Sequence, residues 1–152
     1  MECYLMRHGE AVAEAEDPRR PLSDEGRRQV EAVARAAAAR GARVAEIFHS
    51  GKQRAAETAA IMARVLGAPA AIRRMQGLAP EDDPFVAKAA IESAESVKMW
   101  VGHVPHLSRL ASLLVAGDEE REVVVLAPAT LVYLVRTDGR WRIEWTLSPE
   151  SR

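Results

Sequence analysis

Cys3-Tyr4-Leu5-Met6-Arg7-His8-Gly9-Glu10 decides how the chain is read, because a short apolar run ends abruptly in an arginine, a histidine and a glycine. Residues Glu2 to Met6 have the length and character of a buried strand, and Gly9 lets backbone approach a ligand closely. Ligands gather at the carboxyl ends of strands in a parallel α/β sheet, so Arg7 and His8 are placed to meet an anion.

Outward from this stretch, Glu10 to Leu22 is first acidic and then basic, and Pro18 and Pro21 keep it out of regular structure. It is expected to be a surface loop with Asp17, Arg19 and Arg20 within reach of the strand end. Ser23 followed by Asp24 and Glu25 starts a helix, predicted to run to Arg40 and stop at Gly41. Val30, Val33, Ala34, Ala37 and Ala38 give it one apolar face. Val44 to His49 is the second predicted strand, and Ser50-Gly51 turns into a helix from Lys52 to Leu66, ended by Gly67. A weak strand over Ala70 to Arg73 and an irregular stretch from Gln76 to Pro84 follow. Pro84 opens a third helix ending near Ala94.

Val97 to Val101 then repeats the opening pattern, an apolar run that delivers Gly102-His103 at its carboxyl end. Pro105 opens a helix through Val115, closed by Gly117. Glu122 to Leu126, Thr130 to Arg136 and Trp141 to Leu147 are three further predicted strands, the last two joined by an Asp138-Gly139 hairpin turn. Strands alternating with helices predict a three-layer α/β/α sandwich, its sheet mostly parallel with an antiparallel C-terminal hairpin. With 152 residues, the chain is expected to form one domain over 1–152.

Composition narrows the function. A formal net charge of -1, from 21 basic and 22 acidic residues, gives no global reason to expect nucleic-acid or membrane partners. The apolar run from Val123 to Val135 is broken by Pro128 and is shorter than the roughly 20 residues of a membrane helix. One cysteine, Cys3, excludes an intrachain disulfide and a cysteine-rich metal site. With no signal-like N-terminal segment, a cytoplasmic protein is expected.

Arg7-His8, Ser50 with Arg54, and Gly102-His103 each follow a different strand, and a sheet with those strands adjacent would merge them into one site. A phosphoryl group suits two guanidinium forks and a histidine, and an imidazole can itself attack phosphorus if its attacking nitrogen is unprotonated. The other ring nitrogen then needs an acceptor, for which a backbone carbonyl near Gly9 is the candidate. Ser50 reads equally as a turn cap and as a hydroxyl donor to phosphate. His106 lies three residues beyond His103, but no carboxylate or further histidine completes a metal set, so it is expected as a substrate-binding residue at the rim or as one just behind the residues that touch substrate. The alternation along its strand leaves the direction of His49 open. Asp118, Glu119, Glu120 and Glu122 read as a solvated turn.

These residues raise a family. Arg7-His8-Gly9 after an N-terminal strand resembles the RHG signature of the histidine phosphatase superfamily, also called phosphoglycerate mutase-like. Ser50-Gly51-Lys52-Gln53-Arg54-Ala55-Ala56-Glu57-Thr58-Ala59 is similar to its second block, with Gly51 in place of the usual proline. Val101-Gly102-His103 looks like the third block, with Val104 where a polar residue is frequent. The short chain, Arg20-Pro21-Leu22-Ser23 and Gly102-His103-Val104-Pro105 look most like the SixA branch, whose members act on protein phosphohistidine.

The resemblance implies that His8 is the phosphorylated nucleophile and that Arg7, Arg54 and His103 complete the pocket; Gly9, by its lack of a side chain, and Ser50, on its ligand-binding reading, are expected to bind substrate, and no cofactor or metal is expected. It implies as partner a phosphohistidine-bearing signalling or phosphotransfer protein. The competing readings are a phosphatase of small phosphate esters, sugar or nucleotide, and a noncatalytic phosphate-binding module. An ester phosphatase needs an acid for its leaving oxygen, and Glu81, Asp82 and Asp83 are the candidates.

Overall fold

A computed structural model of the chain describes residues 1–67 and 71–150. In chain order its elements are β1 (Glu2–Arg7), α1 (Asp24–Ala39), β2 (Glu46–His49), α2 (Gln53–Val65), β3 (Ala71–Arg74), α3 (Pro84–Glu92), β4 (Lys98–Gly102), α4 (His106–Ala116), β5 (Leu131–Thr137) and β6 (Arg140–Leu147). Ala70, predicted to begin the third strand, lies outside the described residues.

The strands form one sheet of order β3-β2-β4-β1-β5-β6. The first four are mutually parallel, and β5 and β6 run antiparallel. Alternation along β1 sends Tyr4 and Met6 to one face, where they meet Val30, Val33, Ala34 and Ala37 of α1 and Ala55, Ala59 and Met62 of α2. Cys3 and Leu5 go to the other, against Ala87 and Ile91 of α3 and Leu107, Leu110 and Ala111 of α4. The period of two in the strand and of 3.6 in the helices thus gives the expected α/β/α sandwich. Burial pushes the Cys3 thiol up to about 12, so it packs as an apolar residue.

Local signals act where the chain carries them. Ser23 accepts from the Gly26 N–H at 3.0 Å to cap α1. Asp138 and Gly139 both take positive φ, 52° and 75°, between the hairpin strands. The predicted strand over Glu122 to Leu126 does not form. β1 is paired on both sides, by β4 and β5, and the segment joins neither open edge of the sheet, β3 or β6. Val125 is exposed and Leu126 buried, and the Leu126 carbonyl accepts from Arg7 Nη1 at 2.7 Å instead of from a neighbouring strand.

The loop after β1 lies hard against the start of α1. A Cβ at Gly9 would stand 2.7 Å from Val30 Cγ2 and 2.8 Å from the Gly26 carbonyl oxygen, and one at Gly26 would overlap the Glu10 carbonyl oxygen. Two side-chain-free positions therefore let the strand end cross the helix at backbone contact. Gly26→Ala is expected to lower stability by about 1–3 kcal/mol, as overpacking does, although alanine favours helix by about 1 kcal/mol. Thermal unfolding of the variant checks this; an unchanged or raised Tm would remove the close-approach account.

Candidate active site

Because β2, β4 and β1 are neighbours and parallel, their carboxyl ends lie side by side. Arg7 closes β1, Gly102 closes β4 directly opposite it, and His49 closes β2 opposite Val101. Each chain leaves the sheet there and supplies one group of the site, as the sequence blocks require.

His8 is held through its backbone and its ring. Its N–H donates to the Gly102 carbonyl at 3.1 Å, and its carbonyl accepts from Ala129 N–H at 3.0 Å. Nδ1 lies 2.6 Å from the Gly9 carbonyl oxygen. A carbonyl can only accept, so Nδ1 carries the hydrogen and Nε2 presents a lone pair. This is the acceptor near Gly9 that the sequence calls for. Burial lowers the His8 pKa to about 4, with the charges of Arg54, Arg7 and Arg20 pushing the same way and the Gly9 bond opposing them. The ring is therefore neutral at pH 7.

His103 is 2% exposed, and its ring centroid lies 5.0 Å from that of His8. Its Nε2 is 2.6 Å from Ser50 Oγ, and Ser50 Oγ accepts from the Lys52 N–H at 3.3 Å. With that amide donating to one lone pair of the oxygen, the hydroxyl still has a proton and a second lone pair with which to hold Nε2. Burial first, then the positive charge of its neighbours, lowers the His103 pKa to about 3. Of the two readings weighed for Ser50, the turn before α2 is held by it, and its hydroxyl meets a pocket histidine, a partner the sequence did not suggest.

Arg7 donates through Nη1 to Leu126, while α2 carries Arg54. The Arg54 carbonyl accepts from the Thr58 hydroxyl at 2.8 Å, and the same Oγ1 accepts from the Gly9 N–H at 3.2 Å. This chain ties the first turn of α2 to the end of β1. Burial lowers both arginine pKa values, with the charge of Arg20 adding to the effect at Arg54, and both remain cations. Arg7 Nε, Arg54 Nε and His103 Nδ1 are buried without a hydrogen-bond partner among the described residues. Buried polar atoms in that state are uncommon. The start of α2 suits an anion, having no side-chain cap and no acidic residue in its first turn.

Arg20 is a pocket residue that the motif reading leaves in the loop. Asp17 takes Arg19 as its partner, at 2.9 Å to the backbone and 3.3 Å to the side chain. Arg20, at φ 47°, donates instead to the Val12 carbonyl at 3.0 Å, and its charge bears on both His8 and Arg54. The Arg20-Pro21 pair was the available signal. Thr58, four residues after Arg54, was legible as a helix neighbour but not as a link to Gly9.

The outlying candidates separate. His106 is fully enclosed, so of the two positions expected for it the rim is not the one it takes; its backbone N–H donates to Pro80 at 3.1 Å and fixes the acidic loop on α4. His49 Nδ1 accepts from the Gly51 N–H at 3.0 Å and serves the turn. Val104 joins the apolar cluster on the α3/α4 face. Glu81 is exposed and faces Arg109 at 3.8 Å. Asp82 accepts from Ala79 N–H and Asp83 from Phe85 N–H, each at 2.9 Å. Asp82 and Asp83, with Ser50, line a cleft of about 470 Å³ beside the pocket. No group of three or more His, Cys, Asp or Glu among the described residues could hold a metal ion.

A family model described as histidine phosphatase superfamily (branch 1) matches residues 3–79, which contain the first two motif blocks. The chain belongs to this family. Among solved structures it is similar to the protein histidine phosphatase SixA complexed with tungstate, at 21% identity and TM-score 0.85, covering 98% of this chain and 97% of that one. A SixA protein from Agrobacterium tumefaciens is similar at 25% identity and TM-score 0.79, with 97% of each chain covered. A phosphoserine phosphatase mutant from Entamoeba histolytica shares the fold at 13% identity and TM-score 0.70, over 99% and 98% of the two chains. No curated protein matches the sequence.

The electrostatics of the pocket give a pH dependence with a definite sign. Unfolded, His8 and His103 titrate near 6.5; folded, near about 4 and about 3. Between these values the unfolded chain binds more protons, so stability is full above pH 6.5 and is lost as pH falls toward 4. Urea unfolding from pH 7 to 4 is expected to show this loss, and His8→Gln to reduce its slope by about one proton. A slope the substitution leaves alone would mean that His8 is not held neutral.

Proposed function

We propose that the protein hydrolyses phosphohistidine on a signalling or phosphotransfer protein through a covalent intermediate on His8. The family membership makes it a phosphatase; the substrate and the residue roles are the proposal. One observation carries the nucleophile. The Nδ1–H of His8 is engaged by the Gly9 carbonyl at 2.6 Å, and its burial among cations keeps the ring neutral, leaving Nε2 as a lone pair.

In the first step Nε2 of His8 bonds to phosphorus as the phosphorus–nitrogen bond of the substrate breaks, and the substrate imidazole, already protonated on its other ring nitrogen, departs neutral with the bond's electron pair. Arg7, Arg54 and Arg20 donate to the equatorial oxygens, with His103 beside them, and stabilise the charge there as it shifts. In the second, water attacks phosphorus in line, the His8 bond breaks, and orthophosphate leaves. Gly9 holds the ring through both steps, and Ser50 holds His103.

The leaving group favours phosphohistidine. A protonated imidazole nitrogen departs as a neutral molecule, which asks little of an acid. The candidate acids are committed elsewhere: Asp82 and Asp83 accept from backbone amides, and Glu81 faces Arg109. The similarity to a protein histidine phosphatase that holds tungstate, a tetrahedral oxyanion, supports the same reading. Asp82 and Asp83 beside Ser50 favour a second reading, a small-ester phosphatase in which one of them protonates the alkoxide. A cytoplasmic setting and one domain over 1–152 go with the first reading. Cys3 is a lone, buried cysteine.

Rates on a phosphohistidine-bearing phosphotransfer domain and on small phosphate esters separate the two readings. The protein substrate is expected to be preferred by about 100-fold or more in kcat/KM. Quenching during turnover should trap acid-labile phosphate on the enzyme, and His8→Ala should lose both the label and at least about 10³-fold in rate. Full hydrolysis by that variant would end the nucleophile assignment, and comparable turnover of sugar phosphates would end the substrate assignment.

A further inference from the structure

The carbonyl that fixes the His8 tautomer belongs to the Gly9-Glu10 peptide, and that peptide is itself held at its other end. The Glu10 N–H donates to Gln29 Oε1 at 3.1 Å, and Gln29 Nε2 donates to the Glu10 carboxylate at 3.2 Å. Glu10 thus clasps one amide with its backbone donor and its side-chain acceptor, and the two contacts agree on which end of that amide is oxygen. Gln29 reaches this position because it stands three residues after Gly26 on the same face of α1, where Gly26 lets the Glu10 backbone lie against the helix. Ser23 closes the clasp: its N–H donates to the Glu10 carbonyl at 3.0 Å and its hydroxyl at 3.3 Å.

A continuous chain therefore runs from His8 to a carboxylate: Nδ1–H to the Gly9 carbonyl, across the peptide to the Glu10 N–H, then through the Gln29 amide to Glu10 Oε2. Every donor points toward the carboxylate, and hydrogen bonds in series polarise one another. An acceptor on the peptide N–H moves electron density onto the Gly9 oxygen, which then holds Nδ1–H more firmly. The gain grows during the reaction. When Nε2 bonds to phosphorus the proton stays on Nδ1 and the ring gains positive charge, so the bond to the Gly9 carbonyl becomes charge-assisted. Burial and three arginines oppose that charge, and the Gly9 carbonyl works against them. An interaction that strengthens on the way to the transition state raises the chemical rate.

We propose that Gln29 and, through it, the Glu10 carboxylate are positioning residues for the nucleophile: they orient and polarise the peptide that stabilises the positive charge His8 gains in phosphoryl transfer. The inference rests on the proposed role of His8 and is independent of which molecule donates the phosphoryl group. Gln29 carries most of the effect, since its dipole meets the peptide directly, whereas the Glu10 side chain is exposed and its charge is screened by water and salt.

The test follows acid-labile label on His8 from two donors, a histidine-phosphorylated phosphotransfer domain and phosphoramidate, whose protonated nitrogen leaves as ammonia with the electron pair of the phosphorus–nitrogen bond. It compares the full chain with its Gln29→Ala, Glu10→Gln and Glu10→Gln/Gln29→Glu variants, each checked for folding by circular dichroism. Gln29→Ala is expected to slow labelling about tenfold at saturating donor and to leave the half-saturating concentration unchanged. Glu10→Gln alone should cost about twofold or less. The double variant exchanges the two partners, keeps an acceptor on the same backbone N–H and should recover the rate. At neutral pH the downfield proton resonance of His8 Nδ1–H, identified by its loss in His8→Gln, should move upfield in Gln29→Ala and return in the double variant. A resonance and a labelling rate that Gln29→Ala leaves unchanged overturn the inference with the nucleophile intact. A rate lost through weaker donor binding, with the resonance unmoved, also overturns it, in favour of Gln29 only tying the loop to the helix. A wild-type protein that takes label from neither donor defeats the proposed function and this inference with it.

Discussion

Three arginines press their charge on one buried imidazole, and the fold has to hold them there. Repulsion between like charges grows as water is withdrawn, so an unanchored cluster would swing outward to solvent. Two of the three guanidinium groups are instead tied to backbone carbonyls, and the third is held through its helix. Arg7 is bonded to the Leu126 carbonyl and Arg20 to that of Val12, and Arg54 sits on a helix turn that Thr58 links to Gly9. The histidines escape the conflict by staying neutral, which is what the low pKa values of His8 and His103 express. Unused attraction for an anion is thereby stored in donors already aimed and desolvated, so binding a phosphoryl group costs little reorganisation.

The sheet order makes that concentration possible. With β4 between β1 and β2, the three motif-bearing strand ends are adjacent, and β5 follows antiparallel on the far side of β1. The neighbouring crossing of β1 over α1 needs Gly9 and Gly26 to be without side chains. Core packing and site geometry therefore share residues: Met6 and Val101 are buried in the α1/α2 core one residue before Arg7 and Gly102.

Much of this was legible in sequence because it depends on short-range signals. Hydrophobic period, Ser23 as a cap, Asp138-Gly139 as a hairpin turn and the three blocks after three strands all act within a few residues. The tautomer of His8 was foreseeable for the same reason, since its acceptor is the next residue. What the sequence hides depends on distance. Glu122 to Leu126 looks like a strand, yet its contact with the site is one carbonyl, that of Leu126, given to Arg7. Whether His106 lies at the rim or behind it is decided only when α4 is packed against the loop that carries Pro80. Arg20 joins the pocket only through the fold of a proline-broken loop, and Arg74 reaches the Ser50-Gly51 turn from a strand with no periodic signal of its own.

The pocket and the cleft divide the problem of selectivity between them. A cage of guanidinium groups and imidazoles accepts any phosphoryl group, because its contacts are to oxygens that all phosphoryl donors share. Discrimination therefore has to come from what lies beyond phosphorus, and the cleft lined by Ser50, Arg74, Asp82, Asp83 and Val86 is the surface next to it. Gly51 shapes that cleft: where a proline would stiffen the turn it leaves space, and Arg74 fills that space beside the residue that meets His103. A replacement in the turn thus reshapes the cleft while leaving the groups around His8 as they are.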